Sequence, residues 1–245
     1  MSVRLRQLFS RFTADRQVRL GLLVSTPEPG ELESLDLLLG HPLLAAASDP
    51  LGRALLDPYF PAPMLAQTIF ADVTGMRFFI NKNRPDLEPV LARELIEWCA
   101  AFARIREDLA AHFDPAAVTC IPLDGRRHPL PEAQWCSLCG LCCRIGGVPP
   151  EPPAGTRHPD HWAAILSGSE LSNQQLCPFL FQYFGEPRYF CSIHQIKPIA
   201  CRTFDRHDCQ RRLAEPDLHA PAPAGTAAES VRPLPQRARG IDLEP

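Results

Sequence analysis

The sequence predicts an α+β protein that is mostly α-helical, with a helical N-terminal region and a small irregular cysteine-cluster domain stapled by metal. Three observations support this class. Apolar residues recur at helical spacing through much of the first 120 residues. Eight of the ten cysteines lie between residues 136 and 209. The chain of 245 residues contains 27 prolines, which favour loops and short elements outside the helices.

The first predicted helix covers residues 3–24. Its apolar side chains fall at helical spacing with arginines between them, namely Leu5, Leu8, Phe9 and Phe12. Such a helix either docks on its own domain or contacts a protein partner or a membrane surface. The following segment, to about residue 72, is acidic. We therefore expect the basic helix to lie against that segment.

Three more helices are predicted in the N-terminal region. Residues 31–47 favour a helix interrupted near Gly40 and Pro42, and residues 64–80 favour another. The clearest helix spans 86–113, with Asp86 as its N-cap. Its apolar residues form one stripe, made of Leu87, Leu91, Leu95, Trp98, Phe102, Ile105 and Leu109. Cys99 lies beside the stripe, where a cysteine usually acts as a small buried hydrophobe.

The C-terminal half is richer in turns. A proline-rich lead-in at 121–135 precedes the cysteines, and residues 158–166 predict a short helix that ends near Gly168. Residues 180–184 and 188–193 predict a β-hairpin around a Gly-Glu-Pro turn. We divide the chain into a helical domain at 1–120, a cysteine-cluster domain at 130–212 and a Pro/Ala-rich flexible tail at 213–245.

The cysteines begin with a repeated Cys-x-x-Cys spacing, which lets thiolates turn toward one centre. Cys136, Cys139 and Cys142 carry this spacing, and Gly140 follows the second of them, where such loops often need positive φ. Cys143 adds a fourth thiol on the next residue. Because adjacent side chains point in different directions, Cys142 and Cys143 are expected to serve two centres, or one ligates while the other packs.

The second half of the cluster supplies four more thiols, at Cys177, Cys191, Cys201 and Cys209. Four thiolates satisfy a tetrahedral zinc site or one cubane iron–sulfur cluster, and eight suffice for two centres. We expect each centre to draw ligands from both halves. The metal either staples the fold or takes part in redox or enzymatic chemistry, and the residues leave both alternatives open.

Composition excludes several classes of protein. A net charge of −3 gives no general reason to expect nucleic-acid binding, and no stretch approaches the roughly 20 apolar residues of a transmembrane segment. Arginines interrupt any export signal near the N-terminus, so we expect a cytoplasmic protein with reduced thiols. A disulfide framework is the alternative use of the cysteines. No catalytic motif is recognisable, and catalytic residues stay unknown.

The cysteine region resembles a known family. C-x-x-C-G-x-C-C at 136–143, Cys-Pro-Phe-Leu at 177–180 and C-x-I-x-x-x-K-P-x-x-C-R-x-F at 191–204 are similar to the CxxCxxCC zinc- or iron-chelating proteins, the YkgJ-type cysteine cluster proteins. The resemblance covers about residues 136–209 and implies that the eight cysteines are metal ligands. Lys197-Pro198 stands where the family commonly has Arg-Pro. A related cluster in flagellin lysine methylases implies an alternative role in protein modification.

Other polar residues near the cysteines are weaker candidates. His194 is either an alternative ligand or a hydrogen-bonding or exposed side chain. Arg202 is expected to donate to a cluster sulfur or to balance thiolate charge. Ligands from the trio of Asp205, His207 and Asp208 are expected only if one cysteine is free. Cys120 has no partner nearby in sequence and is left outside the site.

Overall fold

The computed structural model describes residues 4–19, 29–70, 87–128, 138–144 and 147–214. The first half contains α1 (Leu5–Arg19), α2 (Pro29–Leu39), α3 (Ser48–Leu56), α4 (Ala62–Leu65), α5 (Glu88–His112) and α6 (Pro115–Val118). A 3₁₀ turn at Ala45–Ala47 precedes α3, and Ala66–Phe70 extends α4 as a π-helical turn. The second half contains a 3₁₀ turn (Leu141–Cys143), α7 (Trp162–Ser167), β1 (Leu180–Gln182), β2 (Tyr189–Cys191), α8 (Ile199–Arg202) and α9 (Arg206–Ala214). The protein is α+β and mostly α, as predicted.

Helix α1 docks on the body of the protein with its apolar face. Leu5, Phe9 and Phe12 are fully buried, and the ring of Phe9 stacks on Phe70 with centroids 4.7 Å apart. Arg11 pairs with Glu33 of α2 at 3.6 Å, so the basic helix lies against the acidic segment as expected. No described helix is long and apolar enough to cross a bilayer.

Arg16 is the unexpected residue of α1, because its side chain is only 1 % exposed. Its guanidinium donates to the carbonyl oxygens of Phe60 and Asp57 and to Oε1 of Gln182 in β1, with 2.8 Å to Phe60 and to Gln182. Burial lowers the pKa of Arg16 to about 10. A buried cation needs such acceptors, so Arg16 fixes α1 to both the α3–α4 connection and the hairpin.

Helix α5 confirms the predicted stripe. Its members from Leu91 to Leu109 are all buried, and Cys99 is buried beside them. Asp86, the expected N-cap, lies outside the described residues, and Leu87 is the residue that precedes the helix. Helix α2 ends at Leu39, just before the predicted break at Gly40. The helix expected at 64–80 is observed as far as Phe70, and its remainder lies outside the described residues.

The predicted hairpin is confirmed as an antiparallel pair in which Leu180 faces Cys191 and Gln182 faces Tyr189. The short helix α7 ends as predicted at Gly168, which has a φ of 81°. The carboxylate of Asp108 in α5 accepts from Nε1 of Trp162 at 2.8 Å, which ties α7 to the long helix. Most of the predicted tail, from residue 215 onward, lies outside the described residues.

Buried side chains from the two predicted domains form one continuous core. Phe102 of α5 packs against Phe181 of β1 with ring centroids 4.9 Å apart, and Tyr59 packs edge-on against Phe184 at 5.1 Å. The helices of the first half therefore support the hairpin that carries Cys191. The division into domains at 1–120 and 130–212 stays a prediction.

Candidate metal centre

The cysteines of the C-terminal half converge on one cavity of about 640 Å³. Cys136 lies outside the described residues. The other seven predicted ligands all line this cavity, namely Cys139, Cys142, Cys143, Cys177, Cys191, Cys201 and Cys209. The fold therefore brings together thiols that are up to 70 residues apart in the chain.

The first cysteine segment is held along β2 by backbone contacts. The N–H of Tyr189 donates to the carbonyl oxygen of Leu138 at 2.6 Å, and Cys139 forms a parallel bridge with Tyr189. Gly140 then turns the chain into the 3₁₀ turn with a φ of 74°, as the sequence predicts. A Cβ at this position would lie 3.1 Å from Cβ of Tyr189 and 3.2 Å from Cε of Met64. Both the turn and the close packing require glycine.

Backbone hydrogen bonds join the second cysteine segment to the first. The N–H of Cys177 donates to the carbonyl oxygen of Cys143 at 2.8 Å, and the carbonyl of Cys177 accepts from Leu180 N at 3.0 Å. Because Leu180 begins β1 opposite Cys191, the hairpin places Cys191 beside the same cavity. Cys201 follows on α8, directly after the turn that begins at Pro198.

Five of these thiols influence one another electrostatically, and we call them the five-thiol group: Cys142, Cys143, Cys177, Cys191 and Cys201. Hydrogen bonding with the thiols of Cys142 and Cys177 raises the pKa of Cys143, and the contact with Cys143 lowers that of Cys177. Burial is the main cause that raises the pKa of Cys191, and it raises that of Cys201 to about 11. The thiolate form is therefore disfavoured at Cys143, Cys191 and Cys201.

The sulfur atoms of Cys142 and Cys143 lie 4.0 Å apart, although Cys142 is exposed and Cys143 is buried. Four thiolates around zinc at about 2.3 Å place neighbouring sulfurs about 3.8 Å apart in a tetrahedron. The observed separation therefore fits two ligands of one centre. Soft thiol donors of this kind suit zinc and iron–sulfur clusters.

Helix α9 brings the last cysteine to the cavity. Cys209 is buried, and its N–H donates to the carbonyl oxygen of Asp205 at 3.0 Å. The carboxylate of Asp205 accepts from Asp208 N at 3.0 Å and so caps the helix. Ligand atoms of Asp205, His207 and Asp208 lie within 4.8 Å of one another, but Arg211 pairs with Asp208 at 2.9 Å. Helix capping therefore accounts for Asp205, and an ion pair accounts for Asp208.

Arg202 does not take the role that the sequence suggests. Its guanidinium is exposed, and it donates to the carbonyl oxygens of Gln195 at 2.5 Å and Lys197 at 3.3 Å. Arg202 is also absent from the cavity lining. The expected contact with a cluster sulfur is therefore wrong, and Arg202 instead braces the turn between Cys191 and Cys201. The His194 side chain is exposed at the cavity, and partial desolvation together with the positive charges of Lys197 and Arg202 lowers its pKa.

Sequence reasoning missed Cys120, which also lines the cavity. Thr119 Oγ1 donates to the carbonyl oxygen of Cys191 at 3.3 Å, and Gln195 N donates to Val118 O at 2.9 Å. These contacts place Cys120 at the cavity wall, although it lies 71 positions before Cys191 in the chain. No local spacing in the sequence predicts such long-range contacts. Burial raises the pKa of Cys120, and its thiol is not one of the groups that shift the five-thiol group. Cys99 does not line the cavity, as predicted.

Comparison of the chain with family models, curated proteins and solved structures finds no match. The resemblance of residues 136–209 to the CxxCxxCC proteins therefore stays a prediction that rests on the motifs themselves.

Proposed function

We propose that this protein binds a thiolate-ligated metal centre, either zinc or an iron–sulfur cluster, in the wall of the cavity. The observation that carries the proposal is the convergence of seven cysteines on one cavity, with the sulfurs of Cys142 and Cys143 only 4.0 Å apart. The five-thiol group supplies at least the four thiolates that one centre needs. Cys136, Cys139 and Cys209 complete the predicted set of eight.

The raised pKa values within the five-thiol group support this proposal. Hydrogen bonding with Cys142 and Cys177 makes a thiolate costly at Cys143, and burial makes one costly at Cys191 and Cys201. A bound cation would reverse that cost, since metal-coordinating thiols are deprotonated. Metal uptake would then release protons and stabilise this region, whose described elements are one short hairpin and short helices. A cytoplasmic location would keep these thiols reduced and ready to bind.

A second candidate function is enzymatic or redox chemistry at an iron–sulfur centre. The size of the cavity favours it, because about 640 Å³ lies within the roughly 300–1,000 Å³ of pockets that hold organic ligands. Structural zinc sites are closed, with all four positions filled by protein. The motif resemblance to flagellin lysine methylases makes protein modification one form of this candidate. No catalytic residue is assigned.

Elemental analysis of untagged protein purified without oxygen tests the proposal. One or two zinc ions per chain, or several irons with visible absorbance that bleaches in air, would support a thiolate centre and identify the metal. A chain that retains neither metal after reconstitution with zinc, or with iron and sulfide under reducing conditions, would overturn it. Iron together with bleaching absorbance would favour the enzymatic candidate over a structural staple.

A further inference from the structure

We propose that the cavity also takes a small organic anion with an apolar body, whose anionic group pairs with the ammonium of Lys197. The proposal concerns the cavity of the candidate metal centre but does not rest on a bound metal. It depends on the apolar wall and on the charges around it, which belong to the chain itself. It assigns a ligand class to space that a metal ion alone would not fill.

The floor of the cavity is apolar. Apart from the thiols, its buried lining residues include Leu141, Leu166, Leu180, Phe190 and Ile193, none more than 5 % exposed. A zinc ion sits only about 2.3 Å from its sulfurs and therefore occupies the space directly beside them. The space next to the apolar wall is then left for the apolar body of an organic ligand. Burial of that body would supply most of the binding affinity.

Apart from the thiols, the charged side chains that line the cavity within the described residues are two cations and one carboxylate. Asp208 is the only carboxylate among the described residues that line it, and Arg211 already pairs with Asp208 at 2.9 Å. Lys197 is half-buried in the wall, and no ion pair or side-chain hydrogen bond involves it within the described part of the chain. A cation in an apolar wall lacking a partner carboxylate is a natural receptor for a carboxylate, sulfonate or similar group.

The backbone of Lys197 is held on both sides. Arg202 donates to the carbonyl oxygen of Lys197 itself, and Pro198 follows immediately and is buried. His194, three positions earlier, also lines the cavity, and desolvation together with the charges of Lys197 and Arg202 lowers its pKa. A ligand would therefore lie with its anionic group beside Lys197 and its apolar body against the leucines.

Fluorescence titration with two probes of similar shape tests the proposal. Anilinonaphthalene sulfonate carries an anionic group on an apolar body, and phenylnaphthylamine is its neutral counterpart. We expect Lys197→Gln to weaken sulfonate binding about tenfold and to leave the neutral probe within about twofold, since only the charge-assisted contact is lost. Lys197→Arg should restore most of the sulfonate affinity. Arg206→Gln, which removes an exposed cation outside the lining, should change neither.

Metal content and circular dichroism are recorded on the same samples. Lack of saturable sulfonate binding to the wild-type protein, or unchanged binding to Lys197→Gln, would overturn the proposal. Equal loss of both probes would also overturn it, because Lys197 would then only shape the cavity. If Lys197→Gln lost metal together with sulfonate binding, the ammonium would be balancing thiolates instead, and the proposal would fall. A wild-type chain that binds sulfonate but no metal would contradict the proposed function alone.

Discussion

The backbone N–H of Cys177 donates to the carbonyl oxygen of Cys143 at 2.8 Å, and the thiols of these two residues shift each other's pKa. Two segments that begin with separate sequence motifs are thereby joined at the residues that carry the thiols. We place this pair at the core of the proposed metal centre. Cys142 directly precedes Cys143 in the chain, and the hairpin that carries Cys191 follows Cys177.

Loss of a thiol from this pair should remove metal. We expect Cys177→Ser to lower metal affinity at least about 100-fold, since even residues behind the ligands of metal sites contribute 10- to 100-fold. Cys99→Ser is the matched control, because Cys99 is buried but does not line the cavity. Competition with a chromophoric chelator measures both affinities. Equal metal binding by Cys177→Ser and the wild-type chain would contradict the account.

A substitution of Cys120 tests whether a thiol that lines the cavity also has to ligate the metal. Its thiol does not shift the pKa of the five-thiol group, so we expect Cys120→Ala to keep the full metal content. Because the residue is exposed at the wall, the variant should also lose one reactive thiol per native chain in a thiol titration. Metal loss in Cys120→Ala would show that the centre uses this ninth cysteine of the region.

Gly140 is predicted to be needed for its packing as well as for its backbone conformation. Gly125 is a matched control, because its φ of 79° is similar and a Cβ there meets nothing within 4 Å. Gly125→Ala should cost only the left-handed strain, about 1 kcal/mol. Gly140→Ala adds contacts with Tyr189 and Met64, so we expect a loss of about 2–3 kcal/mol in urea unfolding. Equal losses in the two variants would show that the close packing is unimportant.

Arg16 is predicted to be a major stabilising contact between the two halves. Arg16→Met leaves three oxygens without this donor, and we expect the free energy of unfolding to fall by about 3 kcal/mol. Arg11→Met should cost less than about 0.5 kcal/mol, because its pair with Glu33 is exposed. Urea denaturation of both variants measures the difference. A similar small effect in both would contradict the structural role of Arg16.

Local patterns allowed much of the helical half to be predicted. The stripe of α5 repeats every three or four residues, and its members from Leu91 to Leu109 lie in the same core, so periodicity alone locates the helix. The hairpin was equally local, because a Gly-Glu-Pro turn separates two aromatic-rich segments. For the same reason the type and spacing of the cysteines predict a chelating site before any geometry is known.

Contacts between distant segments could not be predicted in this way. Arg16 and Gln182 are 166 positions apart, and an arginine in an amphipathic helix is ordinarily exposed. Cys120 reaches the cavity only because the loop around Thr119 pairs with the segment that follows β2. The guanidinium of Arg202 donates to backbone carbonyl oxygens of the neighbouring turn. Its position next to Cys201 in the sequence did not indicate this contact. Such outcomes depend on tertiary packing rather than on spacing.

The central claim is that sulfur atoms of the five-thiol group ligate a metal, and X-ray absorption at the metal edge of anaerobically purified protein tests it most directly. The account predicts a shell made of sulfur, with about four thiolates at about 2.3 Å from each zinc or with the sulfur-rich shell of an iron–sulfur cluster. Cys177→Ser should lose that shell, and Cys99→Ser should keep it. A shell of nitrogen and oxygen, or sulfur ligation unchanged in Cys177→Ser, would contradict the claim.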